Sequence, residues 1–410
     1  MASVTRARLK TGWYLLGPAF VAAIAYVDPG NVAANISAGS QFGFSLLWVI
    51  VLANIMAGLV QYLSAKLGLV TGRTLPEAIG DKLNRPVRLT FWLQAEVVAM
   101  ATDVAEVIGG AIALHILFAL PLLLGGALTG VVSLLLLRVQ DQRGQQIFER
   151  VITGLLMLIA IGFTASFFVS TPPPGDVVGG LIPGFHGKES VLLAAAILGA
   201  TVMPHAVYLH SGLARDRHGH PDAGEERRLL LRITRVDVGL AMVVAGGVNA
   251  AMLLVAALNM RGHGDISSIE VAYAAVRDTV SPVIAALFAV GLLASGLASA
   301  SVGAYAGAMI MQGLMHRSIP MVWRRLVTLA PALLILGLGF DPTRTLVLSQ
   351  VVLSFGIPFA LLPLVRLTSS RALMGDDVNH RVTTALGWVI GTLISLLNVV
   401  LIYLTVSAKG

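Results

Sequence analysis

Asp28-Pro29-Gly30-Asn31 interrupts an apolar run that extends from residue 13 to about residue 39, and Gly199-Ala200-Thr201-Val202-Met203-Pro204-His205 interrupts a second run, 190–213. Proline removes a backbone donor and glycine tolerates non-helical angles, so a helix through either stretch is predicted to unwind there. The first break places an ionisable Asp28 and a polar Asn31 in the middle of an apolar segment. The second places Met203 and His205 there. Unwound backbone at membrane depth is tolerated only where it lines a cavity or is buried in protein. Two such breaks at corresponding places in two halves of a chain point to a transporter's binding site, built near the bilayer midplane between inverted repeats.

The surrounding sequence supports a lipid setting. Of 410 residues, 56% are hydrophobic and only 12% are charged, and the mean hydropathy is +0.84. Soluble domains carry roughly 25% charged residues. Apolar runs long enough to cross about 30 Å of hydrocarbon are predicted near 13–39, 45–70, 91–116, 122–138, 148–171, 190–213, 236–259, 281–313, 320–340, 346–365 and 384–406. This makes an all-α integral membrane protein of about 11 spans. Lys and Arg crowd alternate segments, while the intervening ones hold only Lys188, Arg261, Arg277, Arg344 and Lys409. That asymmetry predicts a cytoplasmic N-terminus and an outer C-terminus. It also assigns the net charge of +7 to topology rather than to nucleic-acid binding. The basic start (Arg6, Arg8, Lys10) resembles a signal peptide, but the apolar run continues through Asp28 without a cleavage site, so it is read as a retained first span. Cysteine is absent, which excludes thiolate metal sites and cysteine nucleophiles. The polar segment near 214–235 is expected to be a solvated inner connector. Pro172-Pro173-Pro174-Gly175 is expected to be a stiff outer linker. It divides the single transmembrane domain into a first repeat (1–171) and a second (190–368), with 384–406 as an additional span 11.

The donors at the breaks indicate the cargo. Asp28 offers a carboxylate, Asn31 an amide oxygen, and the broken turns offer carbonyls, those of Ala25 and Ala200. Met203 adds a soft thioether, which favours first-row transition metals over Mg²⁺ or Ca²⁺. Gln350, at the start of span 10, is a further oxygen donor able to swing in. Span 3 carries Glu96, Asp103 and Glu106 at separations that share one helix face. Carboxylates clustered in a low dielectric suit a proton relay. His205 and His210 add groups that exchange protons near neutral pH, and Arg217 stands at the inner end of span 6. Asn249 in span 7 is expected to bond one helix to another.

Asp28-Pro29-Gly30-Asn31 together with Met203-Pro204-His205 resembles the signature pair of the Nramp family, the proton-coupled manganese and iron transporters. The match continues through Leu63–Gly72, Ala101-Thr-Asp-Val-Ala-Glu106, Tyr208-Leu-His-Ser211, Asp341-Pro-Thr-Arg344 and Ser349-Gln350…Phe355-Gly356, and so covers nearly the whole chain. The resemblance is greatest to bacterial manganese transporters of this length. It implies a LeuT-like fold with spans 1–5 and 6–10 as inverted repeats, in a bacterial inner membrane. It also implies metal bound by Asp28, Asn31, Met203 and the carbonyls of Ala25 and Ala200, with Gln350 joining in some states. Asp28, His205, Asp103 and Glu106 match positions implicated in proton movement. The chain departs from the pattern at Ala206, where many members have Asn, and at Ala308, where Gln is common. Neither position is an expected ligand. The expected partners are divalent metal ions, protons and membrane lipids. No cofactor and no obligatory protein partner is implied.

Two other readings compete. A LeuT-like carrier of organic solutes or of Mg²⁺ shares the architecture, but Asp28 would repel the carboxylate of an amino acid and Met203 disfavours Mg²⁺. An intramembrane hydrolase is suggested only by Gly262-His-Gly-Asp265, in an outer loop without a second intramembrane Asp suitably placed. No His-Glu-x-x-His zinc signature occurs. An enzyme is therefore not expected.

Overall fold

The computed structural model describes residues 17–143, 145–165, 172–260, 268–317 and 319–407. The basic start at Arg6, Arg8 and Lys10 and the Gly262–Asp265 stretch lie outside the described residues. Among those described, every regular element is helical.

Span 1 consists of α1 (Pro18–Ala23), a 3-10 turn (Ile24–Val27) and α2 (Pro29–Phe42). Then come α3 (Leu47–Thr71), the short α4 (Leu75–Gly80), α5 (Arg85–Phe118), α6 (Leu122–Arg143) and α7 (Gln145–Thr164). The outer linker holds α8 (Pro174–Gly179). Span 6 is α9 (Gly187–Thr201) and α10 (Pro204–His218). It is followed by α11 (Glu225–Asn259), α12 (Ile269–Thr279), α13 (Pro282–Met315), α14 (Met321–Gly337), α15 (Pro342–Thr368), α16 (Arg371–Met374) and α17 (Arg381–Ser407). Among the described residues, 8 helical segments are long and apolar enough to cross a membrane. The interrupted span 1, α6 and the 17-residue α14 occupy the remaining places in the expected order.

Both expected connectors contain helix. The 214–235 connector is mostly helical, because α10 runs on to His218 and α11 begins at Glu225. Its charges suit those ends, with Glu225 and Glu226 in the first turn of α11 and Arg215, Arg217 and His218 in the last turn of α10, each complementing the helix dipole. In the proline-rich linker, Pro174 occupies the first turn of α8, where its missing N–H costs nothing.

The packing repeats itself when the two halves are exchanged. α2 packs on α11 as α10 packs on α3, and α7 packs on α13 as α15 packs on α5. The largest interface joins α5 to α13 at the centre. Apolar side chains such as Ile55, Leu93, Val131, Val243 and Leu396 lie exposed on the outer face, as lipid solvation requires. Asp28, Asp103, Glu106, Glu149, Asp237, Arg324 and Arg325 are buried inside.

Side chains from other helices satisfy the backbone groups that the irregular helices release. Asp237 of α11 accepts hydrogen bonds from the amides of Gly17 (3.2 Å) and Ala19 (3.0 Å), capping α1 from across the chain. α15 contains Pro358 and Pro363, which deprive the carbonyls of Ser354 and Phe359 of their helical donors. Asn398 Nδ2 of α17 donates to Ser354 at 2.8 Å, and Tyr208 OH of α10 donates to Phe359 at 3.3 Å.

Candidate cation site between the broken helices

Both breaks have the same construction. The residue before each proline is pushed out of helical geometry: Asp28 has φ −68° and ψ 167°, and Met203 has φ −62° and ψ 121°. Each becomes the N-cap of the following half-helix, with proline in its first turn. Asp28 fills this role with its own side chain, as Oδ1 accepts from the Asn31 amide at 2.7 Å.

The carbonyls released at the first break are nearly all accounted for. Asn249 Nδ2 of α11 donates to the Tyr26 carbonyl at 2.7 Å, and Ser295 Oγ of α13 donates to Val27 at 2.6 Å. Asn249 Oδ1 also accepts from Asn35 at 2.9 Å, so this residue spans the interruption as the expected helix-to-helix bond. No side chain among the described residues donates to Ala25, which lies buried on the 3-10 turn.

The cluster itself joins the two breaks. Asn31 Nδ2 donates to Asp28 Oδ1 and to the Ala200 carbonyl, both at 2.8 Å. The amide NH₂ thus supplies partial positive charge to two of the oxygens expected to face a cation. Its own Oδ1 has no hydrogen-bond partner among the described residues. Gln350 Nε2 approaches Asp28 Oδ2 at 3.5 Å, and Gln350 Oε1 is likewise buried without a partner among the described residues. Glycine makes this approach possible. A methyl group at Gly30 would overlap the Gln350 carboxamide, and one at Gly199 would overlap the Gln350 backbone carbonyl. Met203 is fully buried. Unpartnered buried oxygens are uncommon because each forgoes about 1–3 kcal/mol. Two of them beside a carboxylate make a site suited to a cation. Among the described residues no three His, Cys, Asp or Glu side chains converge as a metal cage, so the donors are one charge plus neutral atoms.

The remaining expected residues fall into separate groups. His205 faces span 3, with Nδ1 3.4 Å from Thr102 Oγ1. Asp103 is ion-paired with the fully buried Arg325, which also donates to Ser133 Oγ at 3.2 Å. Glu96 forms a two-pronged pair with Arg324, at 2.8 and 3.1 Å, and accepts from Trp92. Glu106 is wholly buried, and no donor among the described residues reaches either carboxylate oxygen. His210 Nδ1 meets Gln61 Oε1 at 2.7 Å, and Gln61 Nε2 donates to Tyr26 OH, away from the ligand cluster. Arg217 pairs with Glu149 at 3.5 Å, close to the capped start of α1.

Sequence reasoning missed Arg324, Arg325, Gln61 and Tyr26. Two adjacent arginines inside an apolar span, in a chain with three span 3 acids, were the available signal, because intramembrane charges ordinarily pair.

The chain has extensive similarity to known proteins. The family model described as natural resistance-associated macrophage protein-like, Nramp, matches residues 19–404. The divalent metal cation transporter MntH of Mycobacterium tuberculosis strain ATCC 25618 / H37Rv is 77% identical over 407 residues, covering 99% of this chain and 95% of that protein. Among solved structures, the Eremococcus coleocola manganese transporter, in complex with an aromatic bis-isothiourea substituted compound, superimposes with a TM-score of 0.82 at 32% identity, over 95% of this chain and 86% of that one. Mhp1, a nucleobase-cation-symport-1 family transporter, shares the fold alone, with a TM-score of 0.58 at 17% identity, over 94% of this chain and 90% of that one.

Proposed function

The chain belongs to the Nramp family, and on that premise we propose that it imports Mn²⁺, Fe²⁺ and similar divalent ions into the cytoplasm together with protons, by alternating access. The observation that carries this reading is the Asn31 amide, which bridges the Asp28 carboxylate and the Ala200 carbonyl. On arrival of the metal, rotation of the amide by half a turn turns Nδ2 away and presents Oδ1. The ion then takes oxygen from Asp28, Asn31, Ala25 and Ala200 and the thioether of Met203, with Gln350 joining as α15 closes. One charged ligand among neutral donors allows release as well as capture. A cage of several anions would hold the ion instead.

Asp28, Asn31 and Met203 are fully buried, which supports reading this conformation as closed over the cluster. Opening inward requires α1 to leave Asp237, and opening outward requires α9 to move from α15. Protons pass from Asp28 and His205 to Glu106, then along α5 through Asp103 and Glu96 facing Arg325 and Arg324. Arg217 and His210 line the inner exit near α1. The division into repeats 1–171 and 190–368 with 384–406 outside them, the cytoplasmic N-terminus, the outer C-terminus and the bacterial inner membrane belong to the same proposal. An inside-negative potential contributes about 2.3 kcal/mol per charge per 100 mV, and the proton gradient adds to it.

The test is uptake by purified protein in liposomes, with the metal and the pH gradient varied independently. Mn²⁺ entry that accelerates with outside acid and carries protons inward supports the proposal. Entry indifferent to the pH gradient contradicts coupling, and transport of Mg²⁺ or an organic solute in place of Mn²⁺ contradicts the cargo.

A further inference from the structure

Outside the transport path, a groove of about 520 Å³ opens where α4, the start of α5, α15 and α17 meet. Its floor includes Phe91 and Phe359, packed edge to face with ring centroids 5.6 Å apart, together with Leu362 and Trp388. Its rim carries Lys82 and Arg366. Both are exposed, and neither side chain makes an ion pair or hydrogen bond among the described residues. The nearby acids are already engaged, Glu77 with Arg215, Asp81 with Arg73 and Glu96 with Arg324. The two rim cations therefore keep their charge unneutralised, on the side that carries most of the basic residues.

A second hollow of about 320 Å³ continues from the first, sharing Leu362 and Trp388. It runs along α17 past Gly391, Thr392, Ser395 and Val399. From Trp388 to Val399 a helix advances about 16 Å, which is half of the roughly 30 Å hydrocarbon thickness. An apolar trough one leaflet deep, starting at an interfacial tryptophan beneath a pair of free cations, matches one class of molecule in shape and charge.

We infer that this groove is a binding site for an anionic phospholipid of the inner leaflet. Its phosphate headgroup lies between Lys82 and Arg366, and an acyl chain lies against α17. Basic pockets between spans on the cytoplasmic side recognise such headgroups, and the apolar trough explains why a whole lipid binds rather than a free phosphate.

The experiment is native mass spectrometry of the full chain in detergent. It is titrated with phosphatidylglycerol, with phosphatidylcholine of identical acyl chains, and with glycerol 3-phosphate alone. Phosphatidylglycerol is expected to be retained at roughly thirtyfold lower concentration than phosphatidylcholine, the scale set by two interfacial cations. Glycerol 3-phosphate is not expected to compete. Lys82→Gln with Arg366→Gln should bring the two lipids to parity, with the lipid-free melting temperature unchanged. Thr392→Trp, which fills the trough, should weaken retention of both lipids. Equal retention of both lipids by the unaltered protein would overturn the proposal, as would an undiminished preference in the double variant, displacement by glycerol 3-phosphate, or occupation of the face by a second copy of the chain.

Discussion

The Asn31 side chain of the first break donates to the Ala200 carbonyl of the second across 2.8 Å, so one amide holds two interrupted helices together. Because the same nitrogen also serves Asp28, the tie lies at the cluster itself. Asn31→Ala removes an expected metal oxygen and this tie together. Mn²⁺ uptake should fall at least about tenfold, while stability drops by only about 1–3 kcal/mol, the usual cost of stranding a buried acceptor. Initial-rate uptake and thermal melting measure the two effects separately.

Asp28 has two duties, capping α2 and supplying the negative charge of the site. Asn caps a helix about as well as Asp does. Asp28→Asn should therefore melt close to the unaltered protein yet lose Mn²⁺ uptake, whereas Asp28→Ala loses uptake and, in addition, about 1 kcal/mol of capping. Melting curves beside uptake assays check this. Normal uptake in either variant contradicts the role of the charge.

Met203→Ala leaves only oxygen donors, which favour hard cations. Mn²⁺ and Cd²⁺ uptake should decline, and Ca²⁺ or Mg²⁺ should compete more strongly against what remains. Competition assays in liposomes read this directly, and an unchanged competition profile removes the argument from the soft ligand.

Glu106 is buried and no donor among the described residues reaches its carboxylate, whereas Asp103 and Glu96 are held by arginines. Glu106→Gln keeps the shape and removes the exchangeable proton. Metal entry should persist in this variant, but its acceleration by outside acid and the accompanying proton influx should be lost. A pH-sensitive dye inside the liposomes follows the protons, and full coupling in the variant takes Glu106 out of the relay.

Arg325→Ala leaves Asp103 buried and unpaired, a change that costs about 3–5 kcal/mol. Combining it with Asp103→Leu should restore much of the lost stability, because removing both charges leaves none stranded. Unfolding in detergent measures the difference.

Much of this was legible from residue types. Proline at positions 29 and 204 in apolar runs marked both breaks, and Met203, Asp28 and Asn31 were conspicuous beside them. α5 begins at Arg85, before the apolar run that starts near residue 91, because Asn84 caps the helix there and the charged turn carrying Arg85 and Arg88 has no apolar signature. Arg324 and Arg325 lie near a span end, where positive residues resemble inner-face topology signals. Their pairing with Glu96 and Asp103 depends on α14 lying against α5, a tertiary fact with no local signature. The same holds for Asn398, whose service to the Ser354 carbonyl becomes apparent only once α17 is seen beside the kinked α15.

X-ray absorption at the cadmium edge tests the ligand set most directly. The chain has no cysteine, so any sulfur bound to Cd²⁺ must be methionine. The unaltered protein loaded with Cd²⁺ should show one sulfur among oxygen neighbours, and Met203→Ala should show oxygen alone. An oxygen-only environment in the unaltered protein, or sulfur that survives in Met203→Ala, contradicts a site in which Met203 and Asp28 share the ion.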